Sequence, residues 1–172
     1  EDTTEKHPSL EAPPLRRGLP RPSRPTPWAP LDAALSSRLR LPQLLERTVE
    51  YAASALGGDA AYITLATSDE TMWEVRAAVG LASGGAPWRP LRVRTEEIFP
   101  SAAPEPIAVI NDDLMIARTG RGRLSRAGMR SLVTAPLIVD GRVTGLLGVA
   151  SRRARHFGPS AAKRLQEGAD LI

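Results

Sequence analysis

The side chains able to do chemistry in this sequence are few and unevenly placed. Among its 172 residues there is no cysteine, and the histidines are His7 and His156. Disulfides, thiolate nucleophiles, iron–sulfur clusters, cysteine-based zinc sites and sulfur-linked cofactors are therefore excluded. Two widely separated imidazoles supply neither a His-rich metal centre nor a Ser–His triad. No nucleophile, base and orienting group can be assembled, so no catalytic residue, no metal site and no enzymatic role are expected. What remains is arginine. From Arg118 to Arg155 the chain carries nine arginines and one acid, Asp140, whereas Glu46 to Asp113 holds eleven acids against five arginines. Guanidinium forks suit carboxylates and phosphates bidentately. Arg118, Arg121, Arg123, Arg126 and Arg130 thus point to an anionic small ligand or an acidic partner surface. The plainer alternative is a solvated loop that balances the acidic half.

The net charge of +4 and pI near 10.3 invite a nucleic-acid reading. It is disfavoured, because 21 of the 23 basic residues are arginine in a chain rich in Ala, Gly and Pro, a bias genome composition can produce. Aromatics are only 4%, too few for stacking platforms. No apolar run reaches the roughly 20 residues of a membrane span, and no secretory pattern opens the chain. With no initiator Met and a helical pattern still running at Ala169-Asp170-Leu171-Ile172, the expectation is a cytoplasmic fragment of a longer protein.

The elements that must position these residues follow from proline, glycine and hydrophobic period. Residues 1–30 hold eight of the 16 prolines and read as an extended or disordered linker. Leu31, Leu35 and Leu39 recur every four residues. Pro42 then suits a first helical turn, Leu44, Leu45, Val49, Ala52, Ala53 and Leu56 continue a helical stripe, and Gly57-Gly58 stops it. Ala60 to Thr67 (AAYITLAT) and Trp73 to Val79 predict two strands joined at Ser68-Asp69-Glu70. A loop at Gly84 to Pro87, a short helix within Glu96 to Ala103 and a strand at Ile107 to Ile110 fill the middle. Asn111-Asp112-Asp113 offers caps to a helix through Leu114, Met115 and Ile116, and Arg118 to Gly128 predicts loop. Arg130 to Val139 and Arg142 to Ser151 flank Asp140-Gly141 as a hairpin, with Pro136 expected at an edge or bulge. A last helix opens at Gly158-Pro159 with Ala161, Leu165, Ala169 and Ile172 on one face. The order predicts an α+β fold with a mostly antiparallel sheet.

The run from Gly128 through Met129-Arg130-Ser131-Leu132 to Pro136-Leu137, the hairpin Ile138 to Val149, and Phe157 before a helix resemble a GAF domain. Leu44-Leu45 leading into Ala60-Ala61-Tyr62-Ile63, and Pro106 to Asp112, fit the same family over residues 31–172. The resemblance implies a GAF-like, PAS-related antiparallel sheet of about five or six strands. Terminal helices would lie on one face, with loops and short helices over a small-ligand pocket on the other. It also implies a sensor in a signalling protein, often paired with a second copy through its terminal helices.

Departures from the family's specialised types narrow this further. Bilin-binding members and the free-methionine sulfoxide reductases need cysteine. The cyclic-nucleotide signature is missing, since neither Lys6 nor Lys163 follows an asparagine, and Ser125 and Arg126 stand where haem-binding members have histidine. No haem, bilin or cyclic-nucleotide cofactor is therefore expected. The pocket candidates are Trp73, Phe99, Asp112, Met115, Arg118, Arg126, Met129, Ser131 and Val133. For the apolar members core packing is the competing role, and for Asp112 it is helix capping. Ser131, Val133 and Ala135 share one strand face and Leu132 and Thr134 the other; the sequence does not say which meets the pocket. The expected function is a non-enzymatic sensor binding an unknown small molecule and controlling an output domain outside the fragment. The alternatives are a ligand-free dimerisation module and, less favoured, nucleic-acid binding through residues 118–155.

Overall fold

The structure, a computed structural model, describes residues 28–31, 39–69, 71–81, 91–94, 109–112 and 123–172. The expected loop at Gly84 to Pro87, the helix within Glu96 to Ala103 and the helix after Asn111 lie outside these residues, as do Leu35 and residues 1–27 of the linker.

Helix α1 spans Leu41–Leu56, with Pro42 in its first turn and Gly57 closing it at φ 63°. Its buried face is Leu45, Thr48, Val49 and Ala52, the three- and four-residue spacing of a single stripe. The Thr48 hydroxyl is satisfied within the helix, donating to the Leu44 carbonyl at 2.9 Å.

Six antiparallel strands follow: β1 (Ala60–Ala66), β2 (Met72–Val79), β3 (Leu91–Arg94), β4 (Val109–Asn111), β5 (Ser131–Val139) and β6 (Arg142–Ser151). They form one sheet in the order β3-β2-β1-β6-β5-β4. Strand β3 was not foreseen, and a short helix α2 (Arg123–Arg126) occupies part of the stretch expected to be loop. Helix α3 (Pro159–Ala169) completes the domain.

The hairpin between β5 and β6 turns at Asp140 and Gly141, both at positive φ (50° and 75°), the backbone that matches the twist of the flanking strands. Pro136 sits where its missing N–H is tolerated. Pairing of β5 to β4 is described only for Leu132 to Thr134, and the register to β6 shifts between Leu137 and Ile138.

Both long helices pack on one side of the sheet. Leu45, Val49 and Ala52 of α1 and Leu165 and Ala169 of α3 meet Ala61, Ile63, Val133, Ala135, Leu147 and Val149. Each fully buried aliphatic side chain of this kind contributes about 1.5–3 kcal/mol of transfer free energy. Trp28 and Leu31 join the same core, at 2% and 0% exposure. The packed domain thus reaches back into the segment read as linker. Proline content describes the chain around Trp28, but the indole has an apolar surface to cover and finds it on α3. Its Nε1 donates to the Arg164 carbonyl at 2.8 Å. A Cβ added to Gly168 would lie only 2.5 Å from Trp28 Cε2, so the helix has no room there for a side chain.

Asp59 ties the start of β1 to the end of β6. Its carboxylate accepts the Arg152 backbone N–H at 2.8 Å and the Ser151 hydroxyl at 2.9 Å. These two donors hold its pKa below the ordinary carboxylate value. A depressed folded-state pKa contributes stability above the unfolded-state value and loses it as pH falls through the folded one. The Asp59→Asn variant should therefore be less stable than wild type at pH 7. The gap should narrow as the pH is lowered through the depressed folded-state pKa and wild type takes up its proton, as read by urea midpoints along an acid titration.

Candidate functional site

The opposite side of the sheet is built by the residues that alternate with the helix-facing set. Tyr62 and Thr64 of β1 face away from Ala61 and Ile63, and Leu132 and Thr134 of β5 face away from Val133. Leu146 and Ala150 of β6 face away from Leu147 and Val149. On β2 the alternation changes phase. Ile63 pairs with Ala77 and Thr64 with Val75, so Arg76 is an extra residue. The bulge lets Trp73 and Val75 lie on the opposite side while Ala77 reaches the helix-side core. Met129 and Val93 complete this second buried cluster, and Leu124 of α2 packs on it.

Register brings the polar atoms of this side together. Gly148 pairs with Tyr62 on one flank and Thr134 on the other, and Thr64 pairs with Leu146. The Tyr62 ring lies across the Gly148 backbone. A Cβ at 148 would come within 2.7 Å of the phenol oxygen and closer still to the ring. Tyr62 is 8% exposed, and burial raises the pKa of its phenol well above the ordinary value. Thr64 is 1% exposed and its Oγ1 has no hydrogen-bond partner. Buried hydroxyls are ordinarily paired, so this one is a candidate to bond a water or a ligand. The Gly148→Ala variant should lose about 1–3 kcal/mol, because the Tyr62 ring must leave its place. Near-ultraviolet circular dichroism and thermal unfolding would both register the change.

The sequence-derived candidates divide cleanly. Trp73 and Met129 are in this second cluster, at 5% and 0% exposure. Val133 is not; it is in the helix-side core, and Ser131, which shares its strand face, donates its hydroxyl to the Arg153 carbonyl at 2.7 Å. On β5 it is Leu132 and Thr134 that face the second side, which assigns the two strand faces that the sequence left unassigned. Asp112 is exposed at the end of β4, where its carbonyl accepts the Arg155 N–H at 2.7 Å. Arg126 is exposed on α2. Phe99, Met115 and Arg118 lie outside the described residues. His156 sits against α1, its Nε2 3.0 Å from the Gly57 carbonyl. Among the described residues no cluster of metal-ligating side chains occurs, and no helix is long and apolar enough to cross a membrane.

Sequence reasoning missed Tyr62, Thr64, Leu132 and Leu146. The available signal was two hydroxyl residues inside the apolar run Ala60 to Ala66, but which sheet side they occupy depends on where the helices pack.

The six-stranded sheet with both terminal helices on one side and a second buried cluster on the other has the GAF arrangement, and the sequence model of the GAF domain matches residues 40–172. The chain belongs to the GAF domain family. Solved structures agree on the fold. The phycocyanobilin-bound GAF domain from a cyanobacterial phytochrome superposes with a TM-score of 0.69 at 18% identity, over 84% of this chain and 88% of that one. The free methionine-R-sulfoxide reductase from Neisseria meningitidis, in complex with its substrate, gives 0.65 at 17% identity, over 82% and 80%. The chromophore-binding domain of an unusual bacteriophytochrome from R. palustris gives 0.67 at 12% identity; 84% of this GAF domain spans 58% of that chain. No curated protein matches the sequence. These neighbours include both photoreceptor domains and an enzyme. This GAF domain has no cysteine, and so no thiol to which a chromophore could be attached.

Proposed function

We propose that this GAF domain is a non-catalytic sensory module of a cytoplasmic bacterial signalling protein. It binds a small molecule against the sheet side remote from its terminal helices and controls an attached output domain. The observation that carries this is the orphaned Thr64 hydroxyl, buried at 1% exposure on that side beside Tyr62. Support also comes from neighbours of the same fold described as bilin-bound or in complex with substrate.

The coupling follows from the strands. Tyr62, Thr64 and Leu146 alternate with Ile63 and Leu147, on which α1 and α3 rest. A ligand that favours one strand geometry therefore biases one packing of the helices, as a shift of population between two states. An anionic ligand would call on Arg126, exposed on the neighbouring helix α2. Screening cytoplasmic metabolites by thermal shift tests the reading. At a concentration 100 times its Kd, a true ligand adds about 2.7 kcal/mol. Absence of stabilisation by any compound would overturn it.

A second reading is dimerisation through the terminal helices. It is favoured by Leu39 and Leu41 at the start of α1 and Leu171 and Ile172 after α3, all 38–55% exposed. Sedimentation equilibrium decides it, a monomer at high concentration being the adverse result.

A further inference from the structure

The chemistry of the second sheet side narrows the ligand class, an inference that rests on the reading of that side as the binding surface. Its described residues are apolar or hydroxyl-bearing: Tyr62, Thr64, Thr134, Trp73, Leu132 and Leu146 are the members that bear on recognition. Among the described residues no arginine, lysine, aspartate or glutamate is buried, and Arg126 on the neighbouring helix α2 is exposed. A carboxylate or phosphate placed against this side would give up its hydration with no described counter-charge to replace it, a large penalty. An uncharged ring loses only unfavourable contact with water.

Two hydroxyl donors are already in place. Thr64 Oγ1 has no partner, and the Tyr62 phenol, packed across the Gly148 backbone, is the second hydroxyl on this side. Thr64 is two residues beyond Tyr62 on the same strand side, about 7 Å along the chain. The Tyr62 ring is held down over Gly148, so its hydroxyl has a fixed place above β6, toward β5. A preorganised donor costs a ligand less ordering entropy than a mobile one.

We propose that this side recognises an uncharged ligand joining an apolar ring to a hydrogen-bond-accepting oxygen, with the Tyr62 and Thr64 hydroxyls as the donors that select it. A ring without an acceptor leaves both hydroxyls unpaired, and an anion brings a charge this side does not balance. The discrimination therefore lies in two neutral hydrogen bonds, each giving about a tenfold difference in affinity or somewhat less.

Three probes of similar size test this on the full chain: acetophenone, toluene and benzoate, titrated into labelled protein and followed by amide chemical shifts. Acetophenone is expected to bind about ten- to a hundredfold more tightly than toluene and also more tightly than benzoate, with shifts centred on β1, β5 and β6. The Tyr62→Phe and Thr64→Val variants should each bring acetophenone toward the toluene affinity and leave toluene unchanged. Equal binding of acetophenone and toluene, or a preference that survives both variants, overturns the assignment of the donors while the binding surface stands. Tighter binding of benzoate overturns the uncharged class. Failure of all three to perturb this side removes the binding surface, and the proposed sensory function with it.

Discussion

Replacing Trp28 with alanine is expected to cost about 3–5 kcal/mol of folding free energy, lowering the melting temperature by about 6–20 °C. The indole is 2% exposed, lies in the core shared by α1 and α3, and donates to the Arg164 carbonyl. Its removal leaves a void that Gly168 has no side chain to fill. Trp28→Phe should recover most of the loss, since a ring remains and only one neutral hydrogen bond, worth about 1 kcal/mol, is absent. Urea unfolding at constant m-value checks both. Deleting residues 1–27 should leave the midpoint close to wild type, whereas deleting 1–31 should reproduce the Trp28→Ala loss or exceed it, because Leu31 is also fully buried. A Trp28→Ala change within about 0.5 kcal/mol, the range of ordinary surface substitutions, would mean that the contact with α3 is not made in solution. Helix α3 is thus gripped by residues that precede the first long helix.

How legible each part was depends on the range of the interactions that form it. The β5–β6 hairpin could be read because its turn, Asp140-Gly141, and its alternating strands are local. So could α1, whose stripe and glycine stop lie within 17 residues, and α3 with its proline start. Strand β3 offers only Leu91 and Val93 between arginines, and as an edge strand it exists because β2 pairs with it. Trp28 was hidden by its prolines, since what buries it is 136 positions away. The two sheet sides were the hardest. Alternation divides a strand into two sets but does not label them. The bulges at Arg76 and Thr144, which shift register against β1 and β5, move residues between sets in a way no strict period of two foresees. Val133 and Leu132 fall on opposite sides for this reason, and only the packing of the helices tells which is which. The family likeness carried by Gly128 to Phe157 did not have this weakness, because it rests on residue identities and not on phase.

Ile63 and Thr64 are adjacent on the central strand, both at 1% exposure or less, and their replacements are expected to act in opposite directions. Ile63→Ala removes a side chain from the middle of the helix-side core and should cost about 2–5 kcal/mol, the transfer free energy of the lost atoms plus the cavity they leave. Thr64→Val keeps the shape and exchanges an orphaned hydroxyl for a methyl group. A buried polar group without a partner costs about 1–3 kcal/mol, so this variant should unfold at a higher urea concentration than wild type, by about 1 kcal/mol. A core threonine that served only the fold would show the reverse sign. Stability surrendered at one buried atom is what a site kept open for a ligand looks like. The sign is therefore diagnostic before any ligand is known. A loss of more than about 1 kcal/mol in Thr64→Val would show that the hydroxyl is satisfied in solution, and would remove the observation on which the binding side was chosen. The gain should also vanish, or invert, when the unfolding is repeated in saturating acetophenone, because only wild type then completes the hydrogen bond at Thr64.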